Sequence, residues 1–308
     1  MGQFEEAANY IEPLHMNGMD GRMLRAPATG RHEREILLVY GHHALLERWW
    51  GLVQNLQSYG TVTVPDLPGF GGMDSFYKIG RPLSIDAYAD YLAAFIAMQY
   101  RRRRVTIIGI SFGFVVVTRM LQRYPELTKK VDLVISLVGF VHYDDFLYPP
   151  ARRKLYSQIC WVLGTRPIAF ITHHGILNRT FMKSFYRSLP AGRSRLRTMD
   201  ALEFKEYIDF EVKLWRANDM RTHWRTTSEF LGVDNCTQSI ALPVWHVSAE
   251  GDHYFDNAIV EQHMRVVFED YSQATMKSKA HTPSILGTKK DMAIMLPPGL
   301  KKALSRKQ

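Results

Sequence analysis

The stretch Gly109-Ile110-Ser111-Phe112-Gly113 sets one hydroxyl between two glycines in the most apolar part of the chain. A bland reading makes it a tight turn between buried segments. A sharper reading makes it a G-x-S-x-G turn that holds a serine exposed. Glycine at 109 and 113 removes the Cβ atoms that would clash where a strand turns sharply into a helix. The first helical N–H groups then face a spot where negative charge is favoured. The pentapeptide gains meaning only from its context, and here the context fits: "RVTIIG" before it reads as a strand and "FGFVVVTRMLQRYPEL" after it as a helix.

Serine alone is a weak nucleophile and needs a base that a third group orients. In this context the acid and then the histidine follow the serine in the chain. Asp252 sits just past the strand "LPVWHVSA", and His281 just past the strand "SQATMKSKA". His281 would take the serine proton and return it to the leaving group, while Asp252 would hold the imidazole tautomer and stabilise its cation. Rival acids are Glu250 and Asp256 in the same loop, and Asp144–Asp145 after "VDLVISLVGF", with Asp144 the runner-up. Two backbone donors are needed for an oxyanion. The N–H of Phe112 follows the nucleophile, and the N–H of His42 lies in the turn after "EILLVY". The histidine pairs 42–43 and 173–174 lack the i,i+4 spacing of a helical zinc site, so neither a metal nor a cofactor is expected.

These residues require parallel strands that end on one rim. "NYIEPLHMNGMDGRMLRAPA" reads as a hairpin, and "EREILLVYG" and "TVTVPD" as strands separated by the helical "LLERWWGLVQNLQSYG". "SIDAYADYLAAFIAMQY" is a helix capped by Ser84. "DNAIVEQHMRVVF" and "KKDMAIML" read as later helices. Strand and helix alternate on both sides of residues 141–240, which predicts an α/β fold with helices on both faces of a parallel sheet. Residues 141–240 carry few strand signals. They read as a helical cap or lid inserted after the sixth strand, between a core of residues 1–140 and its second part, 241–308. Its aromatic residues, Phe181, Phe185, Tyr186, Trp215 and Trp224 among them, are expected to pack the lid and to line an apolar pocket. "RRRR" at 101–104 reads as a solvated loop, and the basic tail "KKALSRKQ" as frayed.

Composition fits a globular protein: 308 residues, 46% hydrophobic and 22% charged. Two cysteines, Cys160 and Cys236, make no disulfide framework and suit a cytoplasmic protein, although one bridge between them stays open. The start lacks a secretory leader, and no apolar run reaches the length of a membrane span. The net charge of +9 is concentrated. Residues 151–225 hold 15 Lys/Arg against 6 Asp/Glu, and the remainder is balanced at 24 of each. A solvated helical surface is one reading; attraction of an anionic substrate or a lipid surface is the other. No nucleic-acid motif is present, and the oligomeric state is open.

"LLVYGHHALLERWWGLVQNL", "VPDLPGFGG", "GISFGF", "LPVWHVSAEGD" and "AHTPS", in this order and spacing, resemble the signature blocks of the α/β-hydrolase fold superfamily across residues 35–140 and 240–295. The resemblance implies a mostly parallel eight-stranded sheet, a Ser111–Asp252–His281 triad and a helical cap. It further implies a serine hydrolase, carboxylesterase- or lipase-like, acting on a small-molecule ester with an apolar acyl group. An anionic or lipid-like ester is the extension that the basic lid motivates. C–C bond hydrolysis, lactone hydrolysis, perhydrolysis and acyl transfer share the same triad, and a non-catalytic binding protein of the same fold is the reading from another class. Three departures stand out. Tyr40 stands where many relatives have histidine before the glycine, Phe114 where many have a small residue, so that it would narrow the site or tilt the helix, and "GGMDS" follows "DLPGF" where a shorter link is common.

Overall fold

The computed structural model describes residues 2–176, 201–278, 280–282 and 287–306. Eight strands form one sheet: β1 (Ile11–Met16), β2 (Met19–Ala26), β3 (Arg34–Val39), β4 (Gly60–Pro65), β5 (Val105–Ile110), β6 (Val131–Leu137), β7 (Val244–Ala249) and β8 (Tyr271–Met276). Their order is β1-β2-β4-β3-β5-β6-β7-β8. β2 runs antiparallel to both β1 and β4, and every later pairing is parallel. Every residue of β3 and of β5 is buried, as befits strands covered on both faces. The expected hairpin is present, and its turn residues Asn17 and Gly18 both have positive φ, as a two-residue hairpin turn demands.

The helices that cover the sheet are α1 (Gly2–Ala8), α2 (Trp50–Leu56), α3 (Ile85–Gln99), α4 (Phe112–Arg123), then α5 (Pro150–Leu163), α6 (Arg166–Ile171), α7 (Ala201–Ala217) and α8 (Met220–Phe230) between β6 and β7, and α9 (Asn257–Val267), α10 (Lys289–Met292) and α11 (Pro298–Leu304). Ser84 caps α3 as its position suggests, its hydroxyl accepting from Ala87 N at 3.1 Å. Two helices were not expected. α1 had no periodic signal in so short a segment. The tail does not fray at residue 301: Leu300 and Leu304 are fully buried, and the Arg306 carbonyl accepts from Arg34 at 2.8 Å. Hydrophobic anchors at i and i+4 outweigh the lysines between them.

The helical insertion enters and leaves the core at one doorway. Tyr143 N donates to Val233 O (2.8 Å) and Asn235 N to Val141 O (3.0 Å). Cys160 and Cys236 are both free thiols, which removes the bridge between them. Phe181, Phe185 and Tyr186 lie outside the described residues. No helix among the described residues is long and apolar enough to cross a membrane.

Beneath the carboxyl rim lies a buried polar hub that accounts for Tyr40. Its hydroxyl donates to Asp66 Oδ1 (2.8 Å) and accepts from Leu67 N (2.8 Å). Arg22 Nε donates to the other Asp66 oxygen (3.1 Å), and its guanidinium reaches Glu47 (3.1 Å) and Gly71 O (2.6 Å). Asp66 is fully buried, so every lone pair left empty is costly. Tyr40→Phe should therefore destabilise the fold by about 1–3 kcal/mol. Urea denaturation measures this, and an unchanged midpoint would show that the hub does not depend on the hydroxyl.

Candidate active site

Ser111 sits between β5 and α4 with φ 50° and ψ −120°, a backbone region that non-glycine residues rarely adopt. The glycines around it are sterically required. A Cβ on Gly113 would lie 2.2 Å from Val39 O and 2.5 Å from Tyr40 O. One on Gly109 would lie 2.5 Å from Phe114 Cα. Gly41 lies against the serine itself, its would-be Cβ 3.2 Å from Ser111 Cβ. Ser111 N donates to Leu137 O at 3.0 Å, fixing the turn from the β6 side. Phe114 neither narrows the site nor tilts the helix into it. Its ring is fully buried against Phe268, and Gly139, where a Cβ would lie 2.7 Å from Phe114 Cβ, provides the room.

His281 and Asp252 are brought together across 29 residues: Nδ1 lies 2.7 Å from Oδ2. The loops that carry them are zipped side by side, Glu250 N to Met276 O (3.1 Å) and Gly251 N to Ser278 O (2.8 Å). The Asp252 side chain is 2% exposed. Burial opposes its ionisation, but the hydrogen bond and charge of His281 and the amides of Tyr254 and Phe255 outweigh it and hold the carboxyl below the usual carboxylate range. The rival acids are committed elsewhere or point outward. Asp256 caps α9, Asp144 pairs with Arg153 (2.6 Å), Asp145 receives His263 (2.5 Å), and Glu250 is exposed.

Ser111, Asp252 and His281 follow the carboxyl ends of β5, β7 and β8, strands joined in parallel through β6, so they occupy one rim of the sheet. Among the described residues no hydrogen bond joins the Ser111 hydroxyl to His281; nucleophile–base contacts commonly tighten only with substrate in place. Nδ1 faces Asp252, so Nε2 is the ring nitrogen that Asp252 does not occupy. Phe112 N–H opens α4, where helical amides lack an intrahelical partner. The contact between Gly41 and Ser111 brings the turn that carries the His42 amide to the same place.

The side chains of His42 and His43 have a role that their spacing could not reveal. His42 Nε2 bonds His223 O of α8 (3.0 Å), and His43 Nδ1 meets Asn218 Nδ2 (3.1 Å), whose carbonyl accepts from Gly71 N (2.8 Å). They dock the insertion onto the turn beside the elbow. Burial pushes the His42 pKa down to about 4 and is the largest cause that keeps His43 and His223 well below the usual range, since a second proton in this histidine cluster would be repelled by the first. All three are neutral imidazoles. No cluster among the described residues could hold a metal ion.

A belt of aromatic rings links the elbow to the histidine. Phe112 meets Phe230 (5.9 Å between centroids), Phe230 meets Phe140 (6.0 Å) and Phe146 (5.9 Å), Phe140 stacks on Phe255 (4.6 Å), and Phe255 lies 5.3 Å from the His281 ring. Phe230 comes from α8 and is the point where the insertion closes on the belt.

The family model for the alpha/beta hydrolase family matches residues 36–286. Among solved structures, an N-formylmaleamic acid deformylase from Pseudomonas putida S16 aligns with a TM-score of 0.62 at 17% identity, over 88% of this chain and 94% of that one. A thermophilic esterase from Thermogutta terrifontis aligns at 0.64 and 14%, over 96% and 98%. MenH from S. aureus aligns at 0.64 and 14%, over 92% and 99%. At these identities the likeness is one of fold. No curated protein matched the chain.

Buried histidines give the fold a definite acid response, His246 and His223 among them. His246, 2% exposed and bonded to Ser136 Oγ (2.9 Å), is held at about 4 by burial, and buried His223 lies well below its usual value. The unfolded chain binds these protons from about pH 6.5 downward and the folded chain does not. Stability is therefore complete above pH 6.5 and falls towards pH 4, by up to about 1.4 kcal/mol per pH unit for each group. Denaturant titrations across pH 7.5–4.5 should show this loss, and His246→Gln should flatten the slope relative to wild type; an equal slope in the variant would remove His246 from the account.

Proposed function

Because the chain belongs to the alpha/beta hydrolase family, we propose that it is a serine hydrolase that cleaves a carboxylic ester with an apolar acyl group. The observation that carries this reading is the 2.7 Å contact between His281 and buried Asp252, on the rim where Ser111 is held in its strained turn. His281 Nε2 takes the Ser111 proton as the hydroxyl oxygen attacks the ester carbonyl. The amides of Phe112 and His42 hold the oxyanion. The tetrahedral intermediate collapses, His281 protonates the departing alcohol, and an acyl-serine remains. Water, deprotonated by His281, attacks it, the acid leaves, and Ser111 regains its proton. Asp252 stabilises the imidazolium in both halves. Residues 1–140 and 241–308 form the reacting core, and 141–240 act as its cap.

The aromatic belt, with rings from the elbow, the β6 loop, α8 and the acid loop, supports an apolar acyl group.

A fluorophosphonate probe should label the wild-type protein and leave Ser111→Ala unlabelled. Asp252→Asn should lower kcat on p-nitrophenyl esters by about 10⁴ while leaving the fold intact. Persistent labelling or turnover in Ser111→Ala would end the proposal. Within it, Phe230→Ala should move the preferred p-nitrophenyl ester to a longer acyl chain, read as kcat/KM across a C2–C12 series; an unmoved optimum at retained turnover would take Phe230 out of the acyl site.

A further inference from the structure

The positive charge of the insertion is not spread evenly over its surface. Several of its cations are occupied. Arg152 donates to Tyr156 (2.7 Å), Arg153 pairs with Asp144 (2.6 Å), Lys213 faces Glu47 (3.6 Å), and Arg225 stacks over Trp161 and reaches Gly164 O (3.3 Å). Three others, Arg166, Arg216 and Arg221, converge on one cavity of about 740 Å³, together with Lys78 from the core. None of the three arginines is in an ion pair among the described residues.

The cavity holds too little negative charge to match them. Its carboxylates are Asp74 and Asp219. Asp74 is already paired with Lys78 (2.5 Å) and also accepts from Asp20 N (2.7 Å). Asp219 caps α8 through Thr222 N (2.6 Å). Arg221 lies flat on Tyr77, its Cζ 3.6 Å from the ring centroid, and its Nε–H is buried without a hydrogen-bond partner. A buried orphan donor on a stacked guanidinium is costly unless something accepts from it. Burial and then His174 lower the His173 pKa, which favours its neutral form. The lining also holds apolar side chains: Met73, Ala169 and Met220, all buried, and Phe170 at 62% exposure.

We propose that this cavity binds an organic anion, a phosphate or carboxylate head joined to an apolar body. Arginine forks suit the planar or tetrahedral oxygens of such a head. The volume falls within the range of small-molecule sites, and the Met and Phe side chains take the body. The site is separate from the serine rim but shares a strut with it. Asn218 lines the cavity and also binds Gly71 N and His43 beside the elbow. The head could be that of a free metabolite or of a membrane lipid, since both present the same oxygens.

Octyl phosphate, below its micellar concentration, is titrated calorimetrically into the full chain, with octanol as the neutral control. Arg166 and Arg216 are exposed, so Arg166→Gln/Arg216→Gln removes charge without opening the core. Octyl phosphate should bind, octanol should bind far more weakly, and the double variant should bind octyl phosphate about tenfold or more weaker at an unchanged melting temperature. Ser111→Ala should bind like wild type, because this site does not depend on the triad. Vesicles of phosphatidylglycerol, compared with phosphatidylcholine, separate the sources. Charge-dependent sedimentation that the double variant loses identifies a lipid head, and octyl phosphate binding without it identifies a free anion. No binding of octyl phosphate, equal binding of octanol, or full binding by the double variant would overturn the proposal.

Discussion

The close approach of two backbones governs the rest of the molecule. The first turn of α4 lies directly under the carbonyls of Val39 and Tyr40, at a distance that only a glycine at 113 permits. That contact does two things. It presses the end of β3 against the elbow, which puts Gly41 beside Ser111 and carries the next amide with it. It also leaves Ser111 no relaxed backbone conformation, so its φ of 50° persists. A strained residue of this kind costs on the order of 1–3 kcal/mol and survives only where its surroundings over-determine it. Here β3, β5 and nearly all of α4 are buried, and their packing supplies the constraint.

Around this centre the protein joins one buried ion cluster, Arg22 with Asp66 and Glu47, to neutral hydrogen bonds. Tyr40 can do what a charged residue could not: its one hydroxyl donates to Asp66 and accepts from Leu67 N, spanning the acid and the backbone of the next loop. The insertion is held in the same way, through imidazoles that burial keeps neutral and through the amide of Asn218. Groups of this type satisfy buried backbone partners without the desolvation penalty of an ion.

How much of this the sequence revealed follows from physics. Period, β-branching and glycine punctuation are local, and they located all eight strands, the Ser84 cap and the elbow. The meeting of Asp252 with His281 was readable because each follows a strand of a parallel sheet, so sheet topology alone sends both to one rim. What stayed hidden depends on contacts distant in sequence. The lysines of the tail mask the buried pair Leu300 and Leu304. Phe114 looked intrusive because its relief, Gly139, lies 25 positions away on another strand's exit. The adjacent histidines 42 and 43 fit no metal pattern, and nothing local says that their partners are His223 and Asn218. The choice among Asp252, Asp256, Asp144 and Asp145 required seeing that three of the four already hold a helix end, an arginine or another histidine.

The separation of charge in the folded molecule has a physical logic. Asp252 can steer the His281 imidazole only while its oxygens are not claimed by a stronger donor. An arginine fork on that rim would take the carboxylate bidentately and leave the histidine unpartnered. Phe255 beside His281 offers no donor to compete for Asp252, and an apolar neighbour strengthens the Asp–His contact. The cations of the insertion are instead taken up by aromatic faces, by Asp144 and Glu47, and by the cavity that Asn218 also lines. A chain with a net charge of +9 thus keeps its acid–histidine contact beside aromatic rings, while Arg166, Arg216 and Arg221 line a separate cavity.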